Sequence, residues 1–405
     1  MTLEKLKHFY RVVAALVLNT LILFLLVNIP LFVFFSIKDK YTKKDQAASP
    51  GIPASQMKFL KEVHPNLSEA EINALRREMT SRMRSLTYDP YTAFREPPFA
   101  GRYLNEDVNG FRHVKNQGPW PPDKERYFSI FLFGGSTTLG YGVPDDETIA
   151  SHLQELLSGV ELDGREARVY NFGQASFYST QERILFERLI TAGFVPDVAV
   201  FIDGLNDFYY YDDRPIFYER IKALVEGKTE KQAPLPAVLA GIPVVRAAGA
   251  LKARLAGRLK SPVEEIKSQF PPDETYNDRA KIMRVIERYA SHKRMVEAVA
   301  SANKVKPLFV WQPVPLYNYD TRHHPFAATG RWGRYAYIKY GYPEMAEFVR
   351  RNPQGDDFLW CADMQENLSE PLYVDATHYS GKMSRLVAEE ISDFMREKKV
   401  LPFKN

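Results

Sequence analysis

Phe128-Ser129-Ile130-Phe131-Leu132-Phe133-Gly134-Gly135-Ser136-Thr137-Thr138-Leu139-Gly140 is the stretch on which the fold turns. Its first six residues are almost all bulky and apolar, with no polar face, so they read as a strand buried on both sides. The chain then breaks at two glycines before a serine. Three similar runs follow at residues 167–172 (ARVYNF), 197–202 (DVAVFI) and 307–311 (PLFVW). Helical stretches are expected between and after them, at about residues 146–158, 179–193, 275–302 and 381–398. Strand then helix, repeated, predicts an α/β fold with a central parallel sheet covered on both faces.

Open sheets of this kind hold ligands at the carboxyl ends of their strands, where Ser136 falls, and flanking glycines let a substrate approach the backbone. Two other readings compete: a tight turn needing glycine, and a phosphate cradle. The second lacks both the G-x-x-x-x-G-K and the G-x-G-x-x-G spacing. A serine nucleophile needs a base that is itself oriented by a third group. Tyr373-Val374-Asp375-Ala376-Thr377-His378-Tyr379-Ser380-Gly381 stands just before the last expected helix. Asp375 and His378, three apart, fit on one turn, although a histidine there also suits a loop that caps the helix. Oxyanion donors are offered by Gly173, after the second strand, and by Asn206 in Gly204-Leu205-Asn206-Asp207, after the third. Glycine and asparagine are equally at home in plain turns.

A Gly-Ser block after the first strand, a Gly block after the second, G-x-N-D after the third and D-x-x-H before the last helix together resemble the SGNH/GDSL hydrolases. The resemblance covers roughly residues 127–398, and the segment 88–113, ending Asn109-Gly110-Phe111-Arg112, is similar to the lead-in of bacterial members. It implies a flavodoxin-like three-layer α/β/α fold and an acyl-serine mechanism. Ser136 would be the nucleophile and Asp375 with His378 the rest of the triad. Ser136, Gly173 and Asn206 would form the oxyanion hole, with no metal or organic cofactor. One position departs from the pattern: the family's Asp before the serine is Gly135.

Weaker candidates surround these. Gln312, in Trp311-Gln312-Pro313, should point near the same edge and contact substrate, and Tyr209 in the run Tyr209-Tyr210-Tyr211 could wall a pocket or simply pack. Glu182 could line the pocket or serve as a helix N-terminal acid. His323 and His324 are adjacent and diverge on any regular element, which argues against a metal site. Cys361, the single cysteine, ends the apolar run Phe358-Leu359-Trp360 and reads as a buried small hydrophobe; an intrachain disulfide is excluded.

Working outward, residues 88–125 are expected to be irregular or short-stranded, and residues 57–87 helical, with Ser68 and Glu71 at capping-box spacing. From Val12 to Ile37 no residue is charged. A helix of roughly 20 apolar residues spans a bilayer core, and this run exceeds the 7 to 15 or so of a signal peptide and ends in Lys38, Lys40, Lys43 and Lys44. The expected organisation is therefore a membrane anchor at 1–37, a linker at 38–56, a helical and irregular lead-in at 57–126, and a hydrolase domain at 127–405 with an insertion at about 208–272. The insertion's basic, apolar piece, Leu235 to Lys260, suits a membrane surface or a cleft cap, or an ordinary amphipathic surface helix.

The formal charge of +4, from 54 basic and 50 acidic residues without a long single-sign block, gives no support to nucleic-acid binding. With 45% apolar residues in 405, most of the chain should fold. Expected partners are an acyl-ester substrate, such as a cell-envelope glycan or lipid, and the membrane. Lysines and arginines flank both ends of the anchor, so charge nearly balances; a periplasmic catalytic domain follows from the resemblance. Three functions fit: a serine esterase or deacylase, an O-acyltransferase using the same triad, and an idle scaffold that retains the fold.

Overall fold

The long uncharged run near the N-terminus forms most of a single helix, α1 (Leu3–Gln46), in a computed structural model that describes residues 3–46, 54–83, 86–216, 218, 221–222, 242–249, 273–324 and 332–402. Its side chains are mostly uncovered, with Leu16 68% and Leu26 65% exposed. The part from Leu3 to Lys38 is long and apolar enough to cross a membrane. The helix continues to Gln46, so the stretch from residue 38 expected to be linker is helical for its first part. The lysines and Gln46 there are good helix formers, and the segment extends an existing helix, which avoids a second nucleation cost. Of the basic insertion piece, residues 242–249 are described and 243–249 are helical; Val244 donates its N–H to Asn28 Oδ1 at 3.0 Å, and the Arg246 guanidinium lies over the Phe35 ring. The rest of that piece lies outside the described residues. These parts form one compact unit, and the remaining described residues form a second.

In the second unit, α2 (Ala54–Val63) and α3 (Glu69–Met83) precede two small hairpins, β1 (Thr87–Asp89) with β2 (Ala93–Arg95) and β3 (Phe99–Ala100) with β4 (Asn105–Glu106). Ser68 and Glu71 form the expected capping box, Glu71 N–H donating to Ser68 Oγ and Ser68 N–H to Glu71 Oε2. The buried Arg82 reaches Glu106 at 2.7 Å and Glu96 at 3.2 Å, which joins α3 to the segment behind it.

The main sheet then assembles from β5 (Tyr127–Gly134), β6 (Glu161–Leu162), β7 (Arg165–Asn171), β8 (Val198–Asp203), β9 (Lys306–Trp311) and β10 (Phe358–Trp360), in the order β10-β9-β8-β5-β7-β6. All pairings are parallel except β6 with β7. Between the strands run α4 (Ser136–Leu139), α5 (Ile149–Leu156), α6 (Ser179–Thr191), α7 (Leu205–Tyr209), α8 (Arg279–Ala302), α9 (Ala336–Arg351) and, last, α10 (Gly381–Glu397). Strand alternation divides the core in two. Ile130, Leu132, Val200, Ile202 and Leu308 pack with Met383, Val387 and Ile391 of α10, while Phe131, Phe133, Phe201, Phe309 and Trp311 pack with α6, α8 and α9. On the sheet itself the first face is mainly aliphatic and the second mainly aromatic.

The three-layer α/β/α fold expected from the sequence is therefore present. Its register matters for chemistry: Gly134 pairs with Ile202, Leu132 with Asn171 and Asp203 with Trp311, so the loops after four strands open at one edge.

Candidate active site

Two glycines let the chain turn sharply after β5. A Cβ on Gly134 would lie 1.9 Å from Thr138 Oγ1, and one on Gly135 would lie 2.4 Å from Asn206 Nδ2 and 2.9 Å from the Phe177 carbonyl. Gly135, the departure from the family pattern, thus makes room for Asn206. Ser136 follows as the first residue of α4 and is partly exposed.

Opposite it, the loop between β10 and α10 is closed by a bridge between Tyr373 and Tyr379, with Val374 N–H donating to the His378 carbonyl at 2.9 Å. That turn presents Asp375 and His378 together. His378 Nε2 is 2.8 Å from Ser136 Oγ, and His378 Nδ1 is 2.7 Å from Asp375 Oδ2. Asp375 Oδ1 accepts the N–H groups of Thr377 and His378, each at 2.9 Å. Burial acts to raise the Asp375 pKa; the His378 ring and those two donors outweigh it and hold the carboxyl at about 2. The Tyr141 ring packs 4.4 Å from that of His378. A hydroxyl, an imidazole and an ionised carboxylate in this relay form the arrangement of a serine nucleophile with its base and orienting acid.

The other expected residues divide. Asn206, on α7, stands beside Gly135 and donates from Nδ2 to the Phe177 carbonyl at 2.7 Å, which leaves its second amide hydrogen uncommitted by that bond. Gly173 does not offer a free donor: its N–H goes to Asn171 Oδ1 at 3.0 Å, and a Cβ there would sit 2.4 Å from Leu139 N. Close packing of two backbones, rather than oxyanion binding, explains that glycine. Gln312 is buried, and its Oε1 accepts from Thr137 Oγ1 at 2.7 Å and Tyr379 OH at 3.0 Å. It joins the turn after Ser136 to the residue after His378 instead of reaching substrate. Tyr209 packs on Tyr335, which is itself on the wall of the cavity beside the triad, so Tyr209 stands one layer back.

Glu182 also lies away from that cavity. It is buried facing Asp203, and neither Glu182 oxygen nor Asp203 Oδ1 has a hydrogen-bond donor. Burial first, then the neighbouring carboxylates, push both pKa values well above the ordinary carboxylate range. His323 lies 3.7 Å from Asp320, and His324 is buried beside Tyr373. Cys361 is buried, and burial pushes its thiol pKa up.

Two supporting residues escaped the sequence reading. Arg112 is fully buried and donates to the carbonyls of Leu139 (2.8 Å), Gly140 (2.6 Å) and Val143 (2.8 Å) and to Asp145 (2.8 Å), fixing the loop that follows the serine. Asn171 Nδ2 donates to the Thr138 carbonyl at 2.9 Å. An arginine two residues after the Asn109-Gly110 turn has no period to flag it.

No family model matches the chain, and no curated protein matches it. Solved structures do. A member of the lipolytic protein G-D-S-L family from Veillonella parvula is 10% identical, with 65% of this chain and 96% of that one covered and a TM-score of 0.34. A lipase from a goat rumen metagenome is 11% identical, covering 66% and 97%, at 0.36. An acetyl xylan esterase is 13% identical, covering 65% and 98%, at 0.30. With scores this low, the weight rests on the chain's own geometry.

Proposed function

We propose that the protein is a serine esterase or deacylase that cleaves an O-acyl ester through an acyl-serine intermediate. The observation that carries this reading is the unbroken relay from Ser136 Oγ through the His378 ring to Asp375. Ser136 Oγ attacks the ester carbonyl while His378 Nε2 takes its proton, and Asp375 holds Nδ1–H so that the ring presents the accepting nitrogen. The oxyanion is met by the Ser136 N–H and the second amide hydrogen of Asn206. His378 returns the proton to the leaving alcohol, whose departure leaves the acyl group on Ser136. Water, deprotonated by His378, then attacks the acyl-serine; the carboxylic acid leaves and Ser136 recovers its hydrogen.

On this reading α1 tethers the enzyme to a membrane, with the domain on the periplasmic side. Protease protection in intact cells and spheroplasts tests the side: cleavage of the domain only after outer-membrane permeabilisation fits, and resistance until cell lysis contradicts it. The chemistry is tested with the full chain in detergent and a panel of acetyl to butyryl esters. Hydrolysis abolished by Ser136→Ala fits; full activity in that variant removes Ser136 from the mechanism.

A further inference from the structure

Beside His378 lies a cavity of about 440 Å³ whose far wall comes from α2 and α3, outside the sheet domain proper. Two of its lining side chains have no task in the relay. Arg76, on α3, is exposed, and its guanidinium makes no ion pair or hydrogen bond among the described residues. His64, at the end of α2, is only 3% exposed, yet its Nδ1 has no hydrogen-bond partner. A buried ring nitrogen left unpaired is costly, and the cost is recovered only when something in the cavity pairs with it.

Arg76 is the one arginine or lysine on the cavity wall among the described residues. The cavity's one lining carboxylate among the described residues is Asp375, already engaged by His378 and two backbone donors. Tyr141 is also on the wall; burial pushes its hydroxyl pKa up, so it stays a neutral donor at ordinary pH. Burial likewise lowers His64 to about 4, so its ring is neutral and can donate one hydrogen bond without adding charge. One cation with neutral donors matches a single negative charge, and a guanidinium fork fits the two oxygens of a carboxylate.

Resting on the hydrolase reading, we infer that this cavity is a subsite for a carboxylate carried by the ester substrate, paired by Arg76 and hydrogen-bonded by His64. The preferred substrate is then an acidic ester: a half-ester of a dicarboxylic acid if the cavity receives the acyl side, or an acylated hydroxy acid or uronic acid if it receives the alcohol side.

The test compares kcat/KM of the full chain on 4-nitrophenyl hemisuccinate and on 4-acetoxybenzoate, with 4-nitrophenyl butyrate and phenyl acetate as their neutral counterparts. At least one acidic ester should be favoured over its counterpart, and Arg76→Gln should lower that acidic-to-neutral ratio about tenfold, the size of one charge-assisted hydrogen bond. Arg76→Lys should restore part of it. Acidic-to-neutral ratios that Arg76→Gln leaves unchanged overturn the subsite. Hydrolysis of none of the four esters counts against the hydrolase reading instead, and calorimetry with succinate then decides the subsite alone. Binding lost in Arg76→Gln supports it, and no binding to the unaltered chain overturns it.

Discussion

Two carboxylate sites stand at the same edge of the sheet and hold opposite charge states. Asp375 faces a histidine and two backbone N–H donors and keeps its carboxyl at about 2. Glu182 and Asp203 face each other with no donor, so they hold a proton between them. Burial opposes ionisation in both places, and the number of donors decides the outcome. The first site is equipped to stabilise an imidazolium, and the second can only fill space beside β8.

The largest effect expected from disturbing this contrast is at the first site. Asp375→Asn keeps the shape but removes the charge and lets the His378 ring take the wrong tautomer, so kcat on a simple ester should fall by about 10⁴-fold. A loss below about tenfold would mean that the carboxylate does not orient the base.

Next comes the buried cation that is fully met. Arg112→Met removes a buried donor from Asp145 and from three carbonyls and should cost on the order of 3 kcal/mol in denaturant unfolding. Ester hydrolysis should fall with it, since the Leu139–Gly140 loop is released. A change under about 0.5 kcal/mol would show that the guanidinium's bonds are not formed in solution.

The smallest effect belongs to the second site. Glu182→Gln keeps the volume and supplies an amide donor to Asp203, so stability at pH 8 should rise by about 1 kcal/mol. The sign follows from proton linkage. The folded pKa values of Glu182 and Asp203 lie above their unfolded values, so the native state binds a proton that the unfolded chain releases. Stability therefore falls as pH rises above the ordinary carboxylate range. Asp375 acts the other way: its folded pKa of about 2 lies below 3.8, so its contribution is present above 3.8 and lost as pH falls toward 2. Melting temperatures between pH 3 and pH 9 should show both slopes, with the alkaline one flattened in Glu182→Gln. Parallel alkaline slopes in the two proteins would refute proton sharing.

Much of this was legible before any coordinates. Unbroken apolar runs marked β5, β7, β8 and β9, because a strand buried on both faces has no polar residues to confuse it. Ser136 and Asn206 were legible because each lies in the first turn of a short helix just after a strand, and Asp375 and His378 because their three-residue spacing just before α10 suits a single turn. The helix α9 was not, since Gly341 and Pro343 interrupt it; a Cβ at Gly341 would meet the Phe208 ring at 2.4 Å, so packing overrules propensity there. The strand β10 has only three residues, too few for a pattern. Residue type and edge position tell which side chains are near the site, but not which are already spent on a neighbour, as the Gly173 N–H is on Asn171 and the Gln312 amide oxygen on Thr137 and Tyr379.

The central claim, that His378 activates Ser136, is tested most directly by fluorophosphonate labelling of the full chain followed by peptide mass spectrometry. The account predicts one adduct, on Ser136, lost in His378→Ala protein that remains folded. An adduct on another residue, or equal labelling of Ser136 without His378, would contradict it.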